Sequence, residues 1–350
     1  MIITRVARMR YEERKESGLF DWLDLEKAVS ERETPLSRLR EAIEWKDLAA
    51  VTEKHLNFKA QTKGGRPPKD PEMMLRMCVL QSLYNLSDEE TEWQATDRLS
   101  FRQFLGLGSG DRVPDARTLW VFKERLGEKG VKALFKAFLR QMRERGLKHR
   151  EGKIVDATIM EVPRQRNSRE ENQQIKEGQR PEAFDENASR GRQKDTDARW
   201  TRKRETNYYG YKNHTKVDAT SKIVEDYSVT DASVHDSQEI ADLMAEGDGF
   251  VFADSAYDGE PVSRQLEAVG VQSLIHRKGC RGRELNRAQK KINQGKSQIR
   301  ARVEHVYGWM FRRGRWIIRS IGMARAQRCI GMANLVYNMD RFTFLTRRTG

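Results

Sequence analysis

The chain is short of cysteine, lacks any long apolar run, and contains one long stretch almost without large apolar residues. Each shortage excludes something. Cys78, Cys280 and Cys329 stand far apart with no Cys-x-x-Cys pairing, which argues against a disulfide framework and against a structural zinc site. No segment approaches the roughly 20 consecutive apolar residues needed to span a bilayer, so no membrane partner is expected. The N-terminus, Met1 to Arg10, turns charged too early for a secretory signal, and cytoplasmic residence is the default expectation. Between Pro163 and Thr206 the only large apolar residues are Ile175, Phe184 and Trp200. Such a segment buries too little surface to offset its ordering entropy, so residues 164–206 are expected to be a polar loop insertion.

Negative charge is also short. The 350 residues carry 66 Lys and Arg against 52 Asp and Glu, a formal net charge of +14. That length allows one large core or two to three domains. The excess favours a polyanionic partner, because neutralising phosphates releases counterions. Charged residues make up 34% of the chain and hydrophobic ones 37%, a balance suited to a soluble protein with much exposed or nucleic-acid-covered surface.

What the chain does contain begins with mixed, polar residues up to about 60. The run Lys63-Gly64-Gly65-Arg66-Pro67-Pro68-Lys69 breaks regular structure and leaves a basic strap. Asp70 before Pro71 predicts a helix entry, with a side-chain acceptor for the first turn and a proline where no donor is lost. That helix is apolar through Met74, Cys78 and Leu83, and Ser87 to Glu90 reads as a capping box opening the next. Val131, Leu134, Phe135, Phe138, Leu139 and Met142 recur at helical spacing. Residues 1–60 are thus read as an N-terminal extension and 61–150 as an all-α, DNA-binding region. Within it, Val113 to Thr118 looks like a turn and helix start, with Lys123 and Arg125 following. A helix-turn-helix reader of DNA and an ordinary bundle both fit, and the charge balance tilts toward DNA contact.

From Lys153 the texture is β. Three acids stand out. Asp156 has apolar neighbours on both sides, as in a central strand; Asp254 closes the apolar run from Gly249; Glu304 lies beside the helical stripe Ile299, Val303, Val306 and Met310. A carboxylate in or at the end of a buried strand is costly unless compensated, and a pair of divalent cations compensates all three at once. Two hard cations about 3.5–4 Å apart stabilise both oxygens of an in-line phosphoryl displacement. Magnesium prefers carboxylate and water ligands, and the set lacks the thiolates that zinc favours. The expected order after 153 is strand, hairpin strands with a turn near Asp218 to Ser221, helix, strand, helix, strand and a long basic helix through Glu304. That is a mixed α/β sheet covered by helices. It can bring the acids together despite separations of 98 and 50 positions.

Other residues have two readings. Arg300, four positions before Glu304, is either half of a weak surface ion pair or a phosphate contact, with Glu304 left to the metal. Lys212 and His214, beside Tyr209-Gly210-Tyr211, are either nucleic-acid contacts or the polar face of an ordinary strand. Asp258 is read as a turn residue, Asp236 as a helix cap, and His235 as a structural histidine.

Several motifs occur in a fixed order: Ile154-Val155-Asp156-Ala157-Thr158, Tyr209-Gly210-Tyr211-Lys212, Val234-His235-Asp236-Ser237, Ala253 to Tyr257, and Arg300 to His305. Together they resemble the DDE transposases of bacterial insertion sequences, in the branch called insertion sequence five. Asn85 to Glu90, Asp97 to Arg102 and Val113-Pro114-Asp115 resemble the N-terminal region of that family. The resemblance spans roughly residues 60 to 340. It implies an RNase H-like catalytic fold over 151–345, acting near the bacterial nucleoid. It implies two Mg²⁺ ions (Mn²⁺ as a substitute) at Asp156, Asp254 and Glu304. It also implies cleavage and joining of double-stranded DNA at inverted-repeat ends by a homodimer, with Arg300, Arg302, Arg312, Lys212 and His214 as expected DNA contacts. In the family's last motif the tyrosine position is Ser297 here and the lysine position Phe311, with Arg312 adjacent. A nuclease of the same fold, and a DNA-binding repressor without chemistry, are the competing readings.

Overall fold

The computed structural model describes residues 18, 21–56, 67–108, 110–148, 151–279 and 284–347. The strap at 63–66, the first ten residues and Cys280 lie outside them.

Seven helices come first: α1 (Asp21–Ser30), α2 (Pro35–Ala42), α3 (Trp45–His55), α4 (Pro71–Tyr84), α5 (Asp88–Asp97), α6 (Leu99–Leu105) and α7 (Ala116–Glu144). Their starts follow local chemistry. Asp70 accepts from the Met73 amide at 2.7 Å, Ser87 from Glu90 at 3.0 Å, and Asp115 from Thr118 at 2.6 Å, each offsetting a donor the first turn leaves unpaired. The six apolar positions from Val131 to Met142 are all buried, as their spacing predicts. Helices α2 and α3 contribute Leu36, Leu39, Trp45 and Leu48 to the same core, so this part of the expected extension packs with the helices after it. The segment at 113–118 opens α7, which packs against α3, α4, α5 and the C-terminal helix α15 (Met323–Thr346) as a bundle. Lys123 is drawn onto Asp88 and Gln81 and is not offered to solvent.

The sheet is built from β1 (Lys153–Glu161), β2 (Arg199–Lys203), β3 (Thr206–Asp218), β4 (Val224–Asp231), β5 (Phe250–Phe252) and β6 (Gln272–Ser273). β3 pairs antiparallel with β1 on one edge and with β4 on the other, while β5 and β6 continue from β1 in parallel. Three antiparallel strands followed by two parallel ones give the RNase H-like mixed sheet. Neighbouring residues of β1 are buried on opposite faces, Ile154 in the main core and Val155 in a second cluster with Ile240, Leu266 and Tyr257. Around the sheet lie α11 (Ile240–Leu243), α12 (Glu260–Ala268), α13 (Arg287–Arg300), α14 (Glu304–Arg312) and α15 (Met323–Thr346).

The insertion departs from expectation. Residues 164–206 form α8 (Arg169–Lys176), α9 (Glu182–Glu186), α10 (Ala188–Gly191) and strand β2. Two of its few apolar residues suffice as a nucleus, because Phe184 and Ile175 are buried. The cations Arg180, Arg190 and Lys194 stand over the Phe184 ring at 5.7–6.0 Å, adding cation–π attraction where apolar area is scarce. Asp195 ties the insertion to the sheet by accepting from the Tyr211 hydroxyl, while its carbonyl accepts from Tyr209. The long helix expected through Glu304 is likewise divided, with a 3₁₀ turn at Ala301–Val303 separating α13 from α14.

Candidate active site

Asp156 faces the side of the sheet that carries α14. Its cross-strand partner is Thr215, whose hydroxyl hydrogen-bonds the Tyr307 hydroxyl of α14 at 2.9 Å. Opposed residues of an antiparallel pair project to one face, so Tyr307 lies over the strand at the level of Asp156. Glu304 is one turn earlier on the same helix and shares that direction. Val303, Val306 and Met310 are buried beneath α14, which leaves Glu304 exposed at its first turn, where a negative charge suits the helix dipole. Asp254 arrives by a separate route. β5 pairs Phe252 with Ile154, so the residue two positions past the strand stands level with Asp156. There its Oδ1 accepts from the Ala256 amide at 2.7 Å and caps a 3₁₀ turn at 255–257.

Asp156 is the acid most affected by its surroundings. Burial pushes the Asp156 carboxyl up to about 6, and the charges of Asp254 and Glu304 push the same way. Arg300 and the Ala157 amide oppose them. The Arg300 guanidinium donates to Asp156 Oδ2 at 2.8 Å, so its ion pair is with Asp156 and not with Glu304 one turn on. Asp156 Oδ1 accepts from the Ala157 amide at 2.9 Å. Among the described residues, no three His, Cys, Asp or Glu side chains are drawn together into a metal-holding set in this conformation. The chemistry of the donors nevertheless fits a hard divalent cation: three carboxylates carried by neighbouring elements, with the Arg300 guanidinium as the standing counter-charge on Asp156.

Two tyrosines belong to the same locality. Tyr257 follows Asp254 by three residues and Tyr307 follows Glu304 by three, and burial raises both phenols well above their usual range, with Asp156 adding to each. One-turn spacing after each acid was legible in the sequence, and Tyr257 closes the motif from Ala253, but neither tyrosine was read as part of the site.

The expected DNA contacts divide. Arg312 is exposed on the end of α14. Arg302 is exposed in its turn, its guanidinium donating to the Ala219 carbonyl at 2.8 Å. Arg300 is committed to Asp156. Lys212 and His214 turn inward, contrary to the DNA-contact expectation. Lys212 pairs with Asp236 at 2.8 Å and donates to the Val234 carbonyl, while His214 is fully buried with Nε2 against Thr230. On β3 these even-numbered residues share one face, and the segment after β4 lies over it, bringing Val234 and Asp236 to Lys212. The cap of that turn is also not the residue expected: His235 Nδ1 accepts from the Ser237 amide, and Asp236 serves the ion pair. Asp258 accepts from the Lys278 amide at 2.9 Å.

Two family models match the chain. Residues 23–125 match the family model described as Transposase domain (DUF772), and residues 147–339 match the Transposase DDE domain. A solved structure of a piggyBac transposase synaptic complex with hairpin DNA is similar with a TM-score of 0.46 and 10% identity, covering 92% of this chain and 77% of that one. The second family match alone spans more than half of the chain, including all three acids, and the protein is a member of the DDE transposase family.

Proposed function

We propose that Asp156, Asp254 and Glu304 form the reaction centre of this transposase and hold two magnesium ions. In that reading, the centre cleaves the inverted-repeat ends of an insertion sequence and joins them to target DNA. The observation that carries the proposal is the convergence of three elements: β1 bears Asp156, the end of the paired strand β5 puts Asp254 level with it, and α14, which bears Glu304, is bonded through Tyr307 to Thr215, the cross-strand partner of Asp156. Divalent metal use is general in the family, and two such ions supply charge neutralisation at the attacking and leaving oxygens of a phosphodiester.

The residues of the chain have separable tasks. Asp156 sits on a central strand and is the fixed member, since β1 is paired on both edges. Glu304 stands at a junction between two helices, so its carboxylate has room to approach. Arg300 holds Asp156 as an ion pair and must share or release it when a cation binds. Tyr307, anchored to Thr215, fixes α14 over β3 beside Asp156. Synapsis of two DNA ends calls for at least two copies of the chain, so a homodimer is part of the proposal.

The test is strand transfer of a labelled inverted-repeat end with Mg²⁺. Wild-type protein is expected to yield joined products and Asp254→Ala none. Retained joining in Asp254→Ala removes the catalytic assignment, and free ends without joined target indicate a nuclease instead.

A further inference from the structure

The β2–β3 hairpin extends the sheet well past its other strands. β1 stops pairing with β3 at Glu161↔Gly210, while β3 begins at Thr206 and β2 accompanies it from Arg199↔Gly210 to Lys203↔Thr206. A two-residue turn, Arg204-Glu205, closes the ribbon. The tip is cationic and open. Arg202, Lys203 and Arg204 are all exposed, none ion-pairs with a described carboxylate, and Arg164 is exposed on the flank with its guanidinium on the Asn207 carbonyl. The base of the ribbon is stiffened by Trp200 packed on Tyr209, ring centroids 5.1 Å apart.

Arg204 has φ 57°, a left-handed conformation that glycine, asparagine or aspartate adopts far more readily. A hairpin turn with a positive φ favours glycine at that position. An arginine there sacrifices stability for charge at the outermost point. From Thr215, opposite Asp156, to Thr206 is nine positions along β3, roughly 30 Å at the rise of a strand. One turn of B-form DNA is roughly 34–36 Å. A two-stranded ribbon is also narrow enough to enter the major groove.

We propose that this hairpin grips duplex DNA in a groove about one helical turn from the reaction centre at Asp156. The inference rests on the reading of the acids as the reaction centre. It adds a second anchor, which sets the angle at which the DNA end enters that centre.

The experiment is a hydroxyl-radical footprint on a duplex ending at the cleaved terminus of the DNA element that carries this reading frame. Full-length wild-type protein is expected to protect the end and a second patch about ten base pairs inside it. The variant Arg202→Gln/Lys203→Gln/Arg204→Gln is expected to keep the first patch and lose the second. Its duplex affinity should depend less on salt, the slope of log K against log salt shrinking by about 2–3 for three lost phosphate contacts. Arg204→Gly separates folding from binding: relief of the left-handed arginine should raise Tm while the affinity falls. An unchanged inner patch and salt slope in the triple variant overturn the hairpin assignment and leave the reaction centre standing. No protection anywhere by the wild-type protein overturns both.

Discussion

At the scale of single residues, the acid with the highest cost is the one the strand holds most firmly. Asp156 titrates up to about 6 when folded, against an ordinary value of 3.8. Folding therefore favours its protonated form, and this contribution to stability, present in full below pH 4, is lost as the pH rises through about 6. His214 runs the other way. Burial pulls it down to about 4, so its contribution is present above its ordinary 6.5 and is lost as the pH falls toward 4. The two slopes oppose each other between pH 4 and 6.5. Asp156→Asn should abolish strand transfer and raise stability at pH 7 by on the order of 2–3 kcal/mol. It should also leave a steeper loss on acidification, from His214 alone; urea titrations across pH 4–7 read all of this, and a variant no more stable than wild type contradicts it. Arg300→Gln removes the guanidinium from Asp156 Oδ2, so the carboxyl should titrate higher still. Carbon NMR of the labelled aspartate carboxyls reads that shift, and a downward movement refutes the pairing.

At the scale of elements, two junctions place the site. The first is where β1, β2 and β3 meet at Gly210, where a Cβ would lie 2.1 Å from the Met160 carbonyl oxygen. Gly210→Ala must push the ribbon off β1, at a cost of about 1–3 kcal/mol as for other overpacked sites, seen as a lower urea midpoint. The second is the start of β1, where Lys153 is fully buried with its ammonium 2.8 Å from Glu225 and 3.7 Å from Asp218. Removing one partner of a buried pair strands the others, so Lys153→Ala should destabilise by about 3–5 kcal/mol in the same titration. A loss below 1 kcal/mol indicates that water relieves the acids. Much of this level was readable beforehand. The order of strands and helices after 153, the turn at Asp218 and the entry of α4 at Asp70 follow from alternation, helical spacing and caps. The insertion was not readable, because a nucleus of Phe184 ringed by cations carries no periodic signal.

Across the whole molecule, the helical and sheet halves share a core. Phe135 of α7 meets Tyr227 of β4 edge-on at 4.9 Å, Lys132 bridges to Asp226 at 2.5 Å, and Glu124 accepts from both Arg325 and Arg328 of α15. The main cluster runs from Leu36 through Ile154 to Phe342. Unfolding should be a single calorimetric transition, and Phe135→Ala should lower it as one, by about 3–5 kcal/mol. Two separated transitions contradict a shared core. No described helix is long and apolar enough to cross a membrane.

The sequence by itself determined the local settings of Asp156, Asp254 and Glu304, the order of the elements that bear them and the basic surplus around them. These are properties of neighbours along the chain, and periodicity, caps and charge express them directly. Tertiary structure alone decided that Arg300 answers Asp156, that Lys212 and His214 face inward, and that a cationic ribbon stands about one DNA turn from the acids. Those outcomes depend on which face of β3 is covered and how far one strand outruns its partner. Both are set by packing between segments far apart in the chain.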